Sequence, residues 1–592
     1  MTENRSYFPS PEEWEDQIIY LLMVDRFSNG REKEVELYIP EKHFNEIENE
    51  NIKIWETAGD RWVGGTLKGI ISKLDYLKNL GITCLWLNPV FKQTAYNDNY
   101  HGYGIQNFLE IDPHIGTKND LKELVEKAHE KGIYIILDIV INHSGDVFGY
   151  KEENPKYFGD RYEIEGFRNH EGLAVIPPAE KDDLNNSWPD GAVWPEELQN
   201  IEAYERKGEI QNWDSFPEYV EGDFSSFKTF NLGKDENDNF QFSETLKNLT
   251  QIYKYWIAFA DIDGFRVDTI KHIPREATKY FVREIHEFAR SIGKNNFYLI
   301  GEITGGLEFA IETKNKTGLN AALGINEIAS QLENTAKGYI SPSSYFNIFS
   351  NTDLLGEDAH LWFKDNVVTM FDDHDMVSLG ENEKFRFCAD EKTSKLVLNA
   401  LFLNIFSLGI PCVYYGTEQG FDGHGNSDKY VRESMFGGDF GAFRTQNKHF
   451  FNQENPIYKS LSRMLKKRKD DATFRHGRQY LRKISEDGKQ FGFVEKIGDD
   501  RIVSVISWSK ILSGNEYIFA INTNIEDEIS CFVMIDSELN SEGDVYETVF
   551  ASQKDYLKNK SLVKVNDRME KFLSIKVPPH GHVIYAKSHN KE

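Results

Sequence analysis

Cysteine is scarce in this sequence: four residues in 592, Cys84, Cys388, Cys412 and Cys531, none closely paired and three of them inside apolar runs. That excludes a disulfide scaffold and a clustered thiolate metal site, and it suits a reducing compartment, so a cytoplasmic location is expected. Positive charge is in deficit as well. Lys and Arg number 68 against 96 Asp and Glu, a net charge of -28, which argues against nucleic acid or an anionic membrane as partner and favours a neutral one. The opening Met-Thr-Glu-Asn-Arg-Ser-Tyr-Phe-Pro-Ser has no basic stretch followed by an apolar one, so no secretory signal is read there. Uninterrupted apolar runs of membrane length are missing too. The longest run, residues 396–415, contains Asn399, Asn404, Ser407 and the breaker Gly409-Ile-Pro411, and reads as a buried helix followed by a buried strand. There is no Walker loop, dinucleotide fingerprint or His-Glu-x-x-His zinc motif, which removes the corresponding nucleotide and zinc chemistries.

What is present is a repeated alternation of apolar strands and amphipathic helices. Residues 17–23 are an apolar run followed by the polar turn Asp25-Arg26-Phe27-Ser28-Asn29-Gly30. Leu67, Ile70, Ile71, Leu74 and Leu77 then form a helical stripe stopped by Gly81, and residues 82–87 are a continuous apolar strand. Thr117 and Asp120 have capping-box spacing ahead of Leu121, Leu124, Val125 and Ala128, with Gly132 as the stop and residues 133–141 as the next strand. Similar units follow at 243–260 with 264–267, at 274–292 with 297–301 and at 394–408 with 412–415. Strands at 367–371 and, more faintly, 321–324 bring the count to eight. Strands without polar alternation, separated by helices, indicate a parallel sheet covered on both sides, and eight of them predict a closed (β/α)8 TIM barrel, an α/β fold. The barrel is expected over 1–143 and 243–470. Residues 144–242, rich in Asn, Asp, Glu, Pro and Trp, are too long for a loop and predict an inserted subdomain. Short alternating strands at 491–495, 501–508, 517–522 and 581–586 predict a C-terminal antiparallel β-sandwich over 471–592. The charged, aperiodic stretch 31–55 reads as a surface excursion.

In such a barrel the reactive residues sit at the carboxyl ends of the strands. Gathered there are Asp138, Asn142 and His143, then Arg266 and Asp268, then Glu302, then His374 and Asp375. Side chains alternate along a strand, so Arg266 and Asp268 point the same way, and the guanidinium favours the ionised form of Asp268. An Arg–Asp pair alone is commonly structural; what distinguishes this one is that four carboxylates and two imidazoles converge on one mouth.

These residues lie in segments that resemble the motifs of the α-amylase family of glycoside hydrolases. Asp138-Ile-Val-Ile-Asn-His143 is similar to the family's first motif, Gly264-Phe-Arg-Val-Asp-Thr-Ile-Lys-His272 to the second, Gly301-Glu302 to the third and Phe371-Asp-Asp-His-Asp375 to the fourth. Gly409-Ile-Pro-Cys-Val-Tyr-Tyr-Gly-Thr-Glu-Gln-Gly420 resembles its last strand and loop. The resemblance implies that the insertion is domain B and the tail domain C. It also implies a retaining mechanism on α-1,4-glucosidic bonds of starch-like glucans or maltooligosaccharides. In that reading Asp268 is the nucleophile, Glu302 the acid and base, and Asp375 the third carboxylate, set against the sugar hydroxyls. Tyr100-His101-Gly102-Tyr103 looks like the segment that supplies a His for a hydroxyl and a Tyr as stacking platform. His143, Arg266 and His374 are implied to bind the same sugar, and Lys271 and His272 the leaving-group side. Asp373 stands where the family more often has Asn. A structural Ca2+ is implied between insertion and barrel, held by Asn142, a domain B carboxylate for which Asp223 is the choice, and the backbone carbonyl of His272. Cyclomaltodextrinase or neopullulanase activity, transglycosylation, and a non-catalytic carbohydrate-binding relative are the competing readings.

Overall fold

In the computed structural model, which describes residues 6–43, 49–178, 190–236, 239–356, 359–376 and 383–588, eight short strands lie parallel. They are β1 Ile19–Leu22, β2 Cys84–Leu87, β3 Tyr134–Ile139, β4 Gly264–Val267, β5 Tyr298–Glu302, β6 Ala321–Leu323, β7 Val368–Thr369 and β8 Ile410–Tyr414. Their order is β6-β5-β4-β3-β2-β1-β8-β7, and a parallel bridge between Ala322 and Val367 joins the two ends. The ring is the TIM barrel that the strand count implied. Closure removes the free edges of an open sheet. The strands are almost wholly buried because one face fills the barrel and the other is covered by helices, which is why polar alternation is missing from them.

The covering helices start and stop where local chemistry dictates. In α1, Leu67–Leu80, the Thr66 hydroxyl accepts the Gly69 N–H, and Gly81 closes the helix at φ 114. In α2, Lys118–Glu130, Thr117 and Asp120 form the reciprocal capping box. Ser243 caps α3, Glu244–Ala260. α4, Arg275–Ser291, buries Ala277, Phe281, Val282, Ile285 and Ala289 as one stripe on the barrel wall. No helix among the described residues is long and apolar enough to cross a membrane.

The chain between β3 and α3 builds small antiparallel pieces. His143–Ser144 pairs with Lys228–Thr229, so the incoming and outgoing segments are zipped together at the barrel mouth. Phe148–Tyr150, Ile164–Arg168 and Ala174–Ile176 form a three-stranded sheet. The rings of Phe148, Phe167, Tyr204 and Phe230 contact one another beneath it as a local core.

After the helix Pro456–Asp470 the chain forms a six-stranded and a four-stranded antiparallel sheet. The strand expected at 491–495 is not formed. Gly492 makes one bridge to Ile484, and nearby backbone groups bond the barrel instead, Ile502 N–H donating to Gly338 O at 2.7 Å and Lys496 N–H to Ser341 Oγ at 2.8 Å. The stretch 31–55 also departs from expectation. Trp55 is 5% exposed, donates from Nε1 to Gly441 O at 2.8 Å and packs on Phe440, so its end is docked on the loop that follows β8.

Candidate active site

The carboxyl ends of β3, β4 and β5 bring the acids together through register. Arg266 lies level with Asp138 on one side and Ile300 on the other, and Val267 with Gly301, so Asp268 and Glu302 emerge side by side. One buried guanidinium touches all three acids. Arg266 Nη1 is 2.9 Å from Asp138 Oδ1 and 2.6 Å from Asp268 Oδ1, and Nη2 is 2.9 Å from Glu302 Oε2. Glu302 Oε2 also accepts the Thr269 N–H at 2.9 Å, across the turn where Thr269 adopts φ 51.

This geometry corrects the expectation that Arg266 alone holds Asp268 ionised. Burial pushes the Asp268 carboxyl well above its ordinary range; Arg266 opposes this, while Glu302 and Asp138 add to it. Asp138 is pushed up by burial to about 6 despite Arg266. Three acids facing one cation in a dry site favour retention of a proton within the cluster. An acid and an anion side by side are what a two-carboxyl displacement requires.

Asp375 differs. Burial works against its charge, but His374, Arg432 and Arg266 hold its carboxyl down at about 2. Arg432 was not singled out in the sequence, yet its Nη2 is 2.7 Å from Asp375 Oδ1, and its Nε donates to His374 O at 2.8 Å. Lys384 Nζ donates to Asp375 O at 2.5 Å. The Asp373 carboxylate accepts the backbone N–H groups of Asp375 and Met376, so it shapes the turn that presents Asp375. Asp428 and Arg432, four apart and 3.6 Å from each other, were the available signal for this wall.

The imidazoles are neutral near pH 7. Burial lowers His101 and His143 to about 3 and His374 and His272 to about 4. Tyr103 donates to Asp138 Oδ2 at 3.0 Å and lies 2.8 Å from His374 Nε2, with its ring stacked near those of His101 and His374. His143 stacks on Phe227, and its buried Nε2 has no protein partner among the described residues, which leaves it for a hydroxyl. His101, Tyr103, His143, Asp268, Lys271, His272, Glu302 and Asp375 all line one cavity of about 470 Å³, together with Trp213, Phe224 and Phe227 of the insertion. These three aromatics were concealed in an insertion without periodicity.

The proposed metal ligands are not gathered in this way. The Asp223 carboxylate accepts from Tyr150 Oη at 2.6 Å and from Thr229 N–H at 3.0 Å, and Lys228 Nζ stands 3.8 Å away while binding Asp146 at 3.0 Å. Asp223 and Asn142 line different cavities. Asn142 Nδ2 is 3.3 Å from His143 Nδ1, and His272 Nδ1 is 2.6 Å from Tyr219 O. Asp223 therefore does not fit as the carboxylate ligand of a calcium ion at Asn142, because a side-chain cation already stands beside it.

Two acids side by side under one arginine, a third acid on the same cleft and aromatic walls around it, all at the carboxyl end of the barrel, define an enzyme-type site of the TIM-barrel class. The chain belongs to the alpha-amylase family: the model of the alpha-amylase catalytic domain matches residues 22–481. It is similar to an alpha-amylase of Streptomyces lividans, 27% identical over an alignment of 505 residues that covers 78% of this chain and 51% of that protein. A cyclomaltodextrinase of Thermoanaerobacter pseudethanolicus is 27% identical over 460 residues, 77% of this chain and 65% of that protein. The chain thus spans about half the length of the Streptomyces relative. In the beta/alpha-amylase of Paenibacillus polymyxa the match covers 34% of that protein. Among solved structures, the alpha-amylase of Geobacillus thermoleovorans complexed with acarbose aligns with TM-score 0.66 at 21% identity over 98% of this chain and 100% of that one. An Anoxybacillus alpha-amylase aligns with TM-score 0.67 at 22% identity over 98% and 100%.

Proposed function

We propose that this protein is a retaining glycoside hydrolase that cleaves α-1,4-glucosidic bonds in starch-like glucans and maltooligosaccharides. The observation that carries the reading is the single Arg266 guanidinium shared by Asp138, Asp268 and Glu302 at one end of the barrel. Asp268, closest to the cation, attacks the anomeric carbon. Glu302, 13% exposed at its side chain and thus nearest the open cleft, gives its proton to the departing glycosidic oxygen. The products of this step are a glycosyl ester on Asp268 and a shortened chain with a free hydroxyl. In the second step Glu302 takes a proton from water, which adds to the anomeric carbon and frees Asp268. Asp375, held anionic by Arg432, faces the sugar hydroxyls while positive charge builds on the ring. His101, His143 and His374 fix other hydroxyls as neutral donors or acceptors, and Lys271 and His272 hold the leaving portion. Four free cysteines, three of them buried, support a cytoplasmic setting.

Two inversions at one carbon keep the α configuration, so freshly released product observed by proton NMR before mutarotation is expected to be the α anomer. Initial β anomer would overturn the double displacement. The similarity to a cyclomaltodextrinase supports a second reading, in which ring opening or transfer to a sugar acceptor uses the same three acids. Products from starch, pullulan, cyclodextrin and maltooligosaccharides separate the two.

A further inference from the structure

Residues 491–495 alternate as a strand does, yet they form one bridge, Gly492 exchanging both of its backbone bonds with Ile484. Ile484–Ser485 is the edge strand of the four-stranded C-terminal sheet, so the segment lies where a fifth strand of that sheet would run. Neighbouring residues of an extended chain turn their backbone groups to opposite sides. With Gly492 facing Ile484, the N–H and C=O groups of Phe491, Phe493 and Glu495 face away from the sheet, and among the described residues none of them has a protein partner. The row is open to water. Phe493 is 45% exposed, and Gly492, Glu495 and Lys489, at the turn that opens the segment, are exposed with it. Phe491 reaches back to Phe572 at 5.3 Å, which meets Phe532 at 5.5 Å, so the segment is held on an aromatic row of its own sheet while its outer edge stays unpaired. Beyond it Ile497, 84% exposed, and Val503, 52% exposed, extend the apolar surface. An unpaired edge flanked by apolar side chains is a template for another strand.

We propose that this edge pairs with the same edge of a second copy of this chain, antiparallel about a twofold axis at Gly492. In that register Phe491 and Phe493 of one copy stand opposite Phe493 and Phe491 of the other, and each pair exchanges both backbone bonds through the groups that face outward. At the axis the two Gly492 residues meet in the narrow, unbonded position, where glycine leaves room for close approach. Lys489 comes opposite Glu495 at either end, so opposite charges meet on both sides of the aromatic pairs. Neither of these charged residues takes part in an ion pair of its own chain among the described residues. Neighbouring registers lose the match, for sliding the partner by two residues sets Glu495 against Asp487 or against Phe491. This order of charge is self-complementary, which a twofold contact requires and an unrelated strand does not, and it is what points to a second copy as the occupant.

Sedimentation of the full chain from about 1 to 100 µM tests this, with a melting curve as control for every variant. The unaltered protein is expected to pass from monomer toward a species of double its mass as concentration rises. Phe493→Pro removes an outward N–H that has no partner among the described residues, and is expected to weaken the association about tenfold or more while the melting temperature is kept. Lys489→Glu and Glu495→Lys each set like charges opposite one another and should weaken it to a similar extent, while the double variant, which exchanges the two charges, restores it. A protein that stays monomeric at about 100 µM overturns the proposal, as does a dimer indifferent to these variants or one that the double variant fails to restore.

Discussion

At the scale of single residues, the arrangement turns on charge balance about Arg266. Asp268 and Glu302 sit on the same guanidinium but are asked for opposite things, one to attack and one to donate a proton. Replacing Asp268 by Asn removes the nucleophile, and replacing Glu302 by Gln removes the transferable proton, while both keep size and much of the hydrogen bonding. Each variant is expected to remain folded and to lose at least about three powers of ten in kcat, roughly 4 kcal/mol of barrier. Steady-state rates on a maltooligosaccharide, with a melting curve as control, check this. Activity within about tenfold of the unaltered protein in either variant would show that the role has been misassigned.

At the scale of elements, the paired strands at the base of the insertion decide where His143 stands. Thr229 pairs with His143 and Lys228 with Ser144, while Phe227 packs on the His143 ring. Lys228 lies between Asp146 and Asp223, joining the incoming segment to the outgoing one. This internal cation ties the two segments at the base of the insertion. Two expectations follow from that arrangement. Chelation leaves the melting temperature of the unaltered protein unchanged, and Lys228→Ala lowers stability by about 1–3 kcal/mol by removing the cation beside buried Asp223 and half-buried Asp146. A fall in melting temperature on chelation, reversed by calcium, would show instead that a metal at Asn142 ties insertion to barrel.

At the scale of the whole molecule, the barrel core continues into one face of the six-stranded C-terminal sheet, while the C-terminal sheets keep a second core of their own. Phe402 of the helix before β8 lies 4.4 Å from the His582 ring and 5.7 Å from Trp508, and all three are within 1% of full burial. A buried lysine reinforces this seam, Lys510 Nζ donating to Phe474 O at 2.8 Å, and burial pushes this amine well below its ordinary value. A continuous interior couples the two parts in unfolding, so calorimetry is expected to show a single transition. Phe402→Ala, with a loss of about 3–5 kcal/mol, should lower that transition as a unit. Two transitions, with Phe402→Ala shifting one alone, would show that the parts unfold independently.

What the sequence determined by itself was set by local chemistry and by period. Apolar runs bounded by Thr66, Thr117, Gly81 and Gly132 specified strands and helices in order, and eight such strands have one common way to close. The four motifs at strand ends named Asp268, Glu302 and Asp375, because a residue at the end of a barrel strand has a known position before any coordinates exist. Only the tertiary structure decided the rest. Arg432 reaches Asp375 from fifty-seven residues further along the chain, and Lys228 stands 3.8 Å from Asp223. The strand expected at 491–495 gave up its ladder because the backbone beyond it bonds the barrel. The upward push on the Asp268 carboxyl was not legible either, for burial and two neighbouring acids are properties of the fold, whereas the adjacent arginine that opposes them is the part that a strand's alternation reveals.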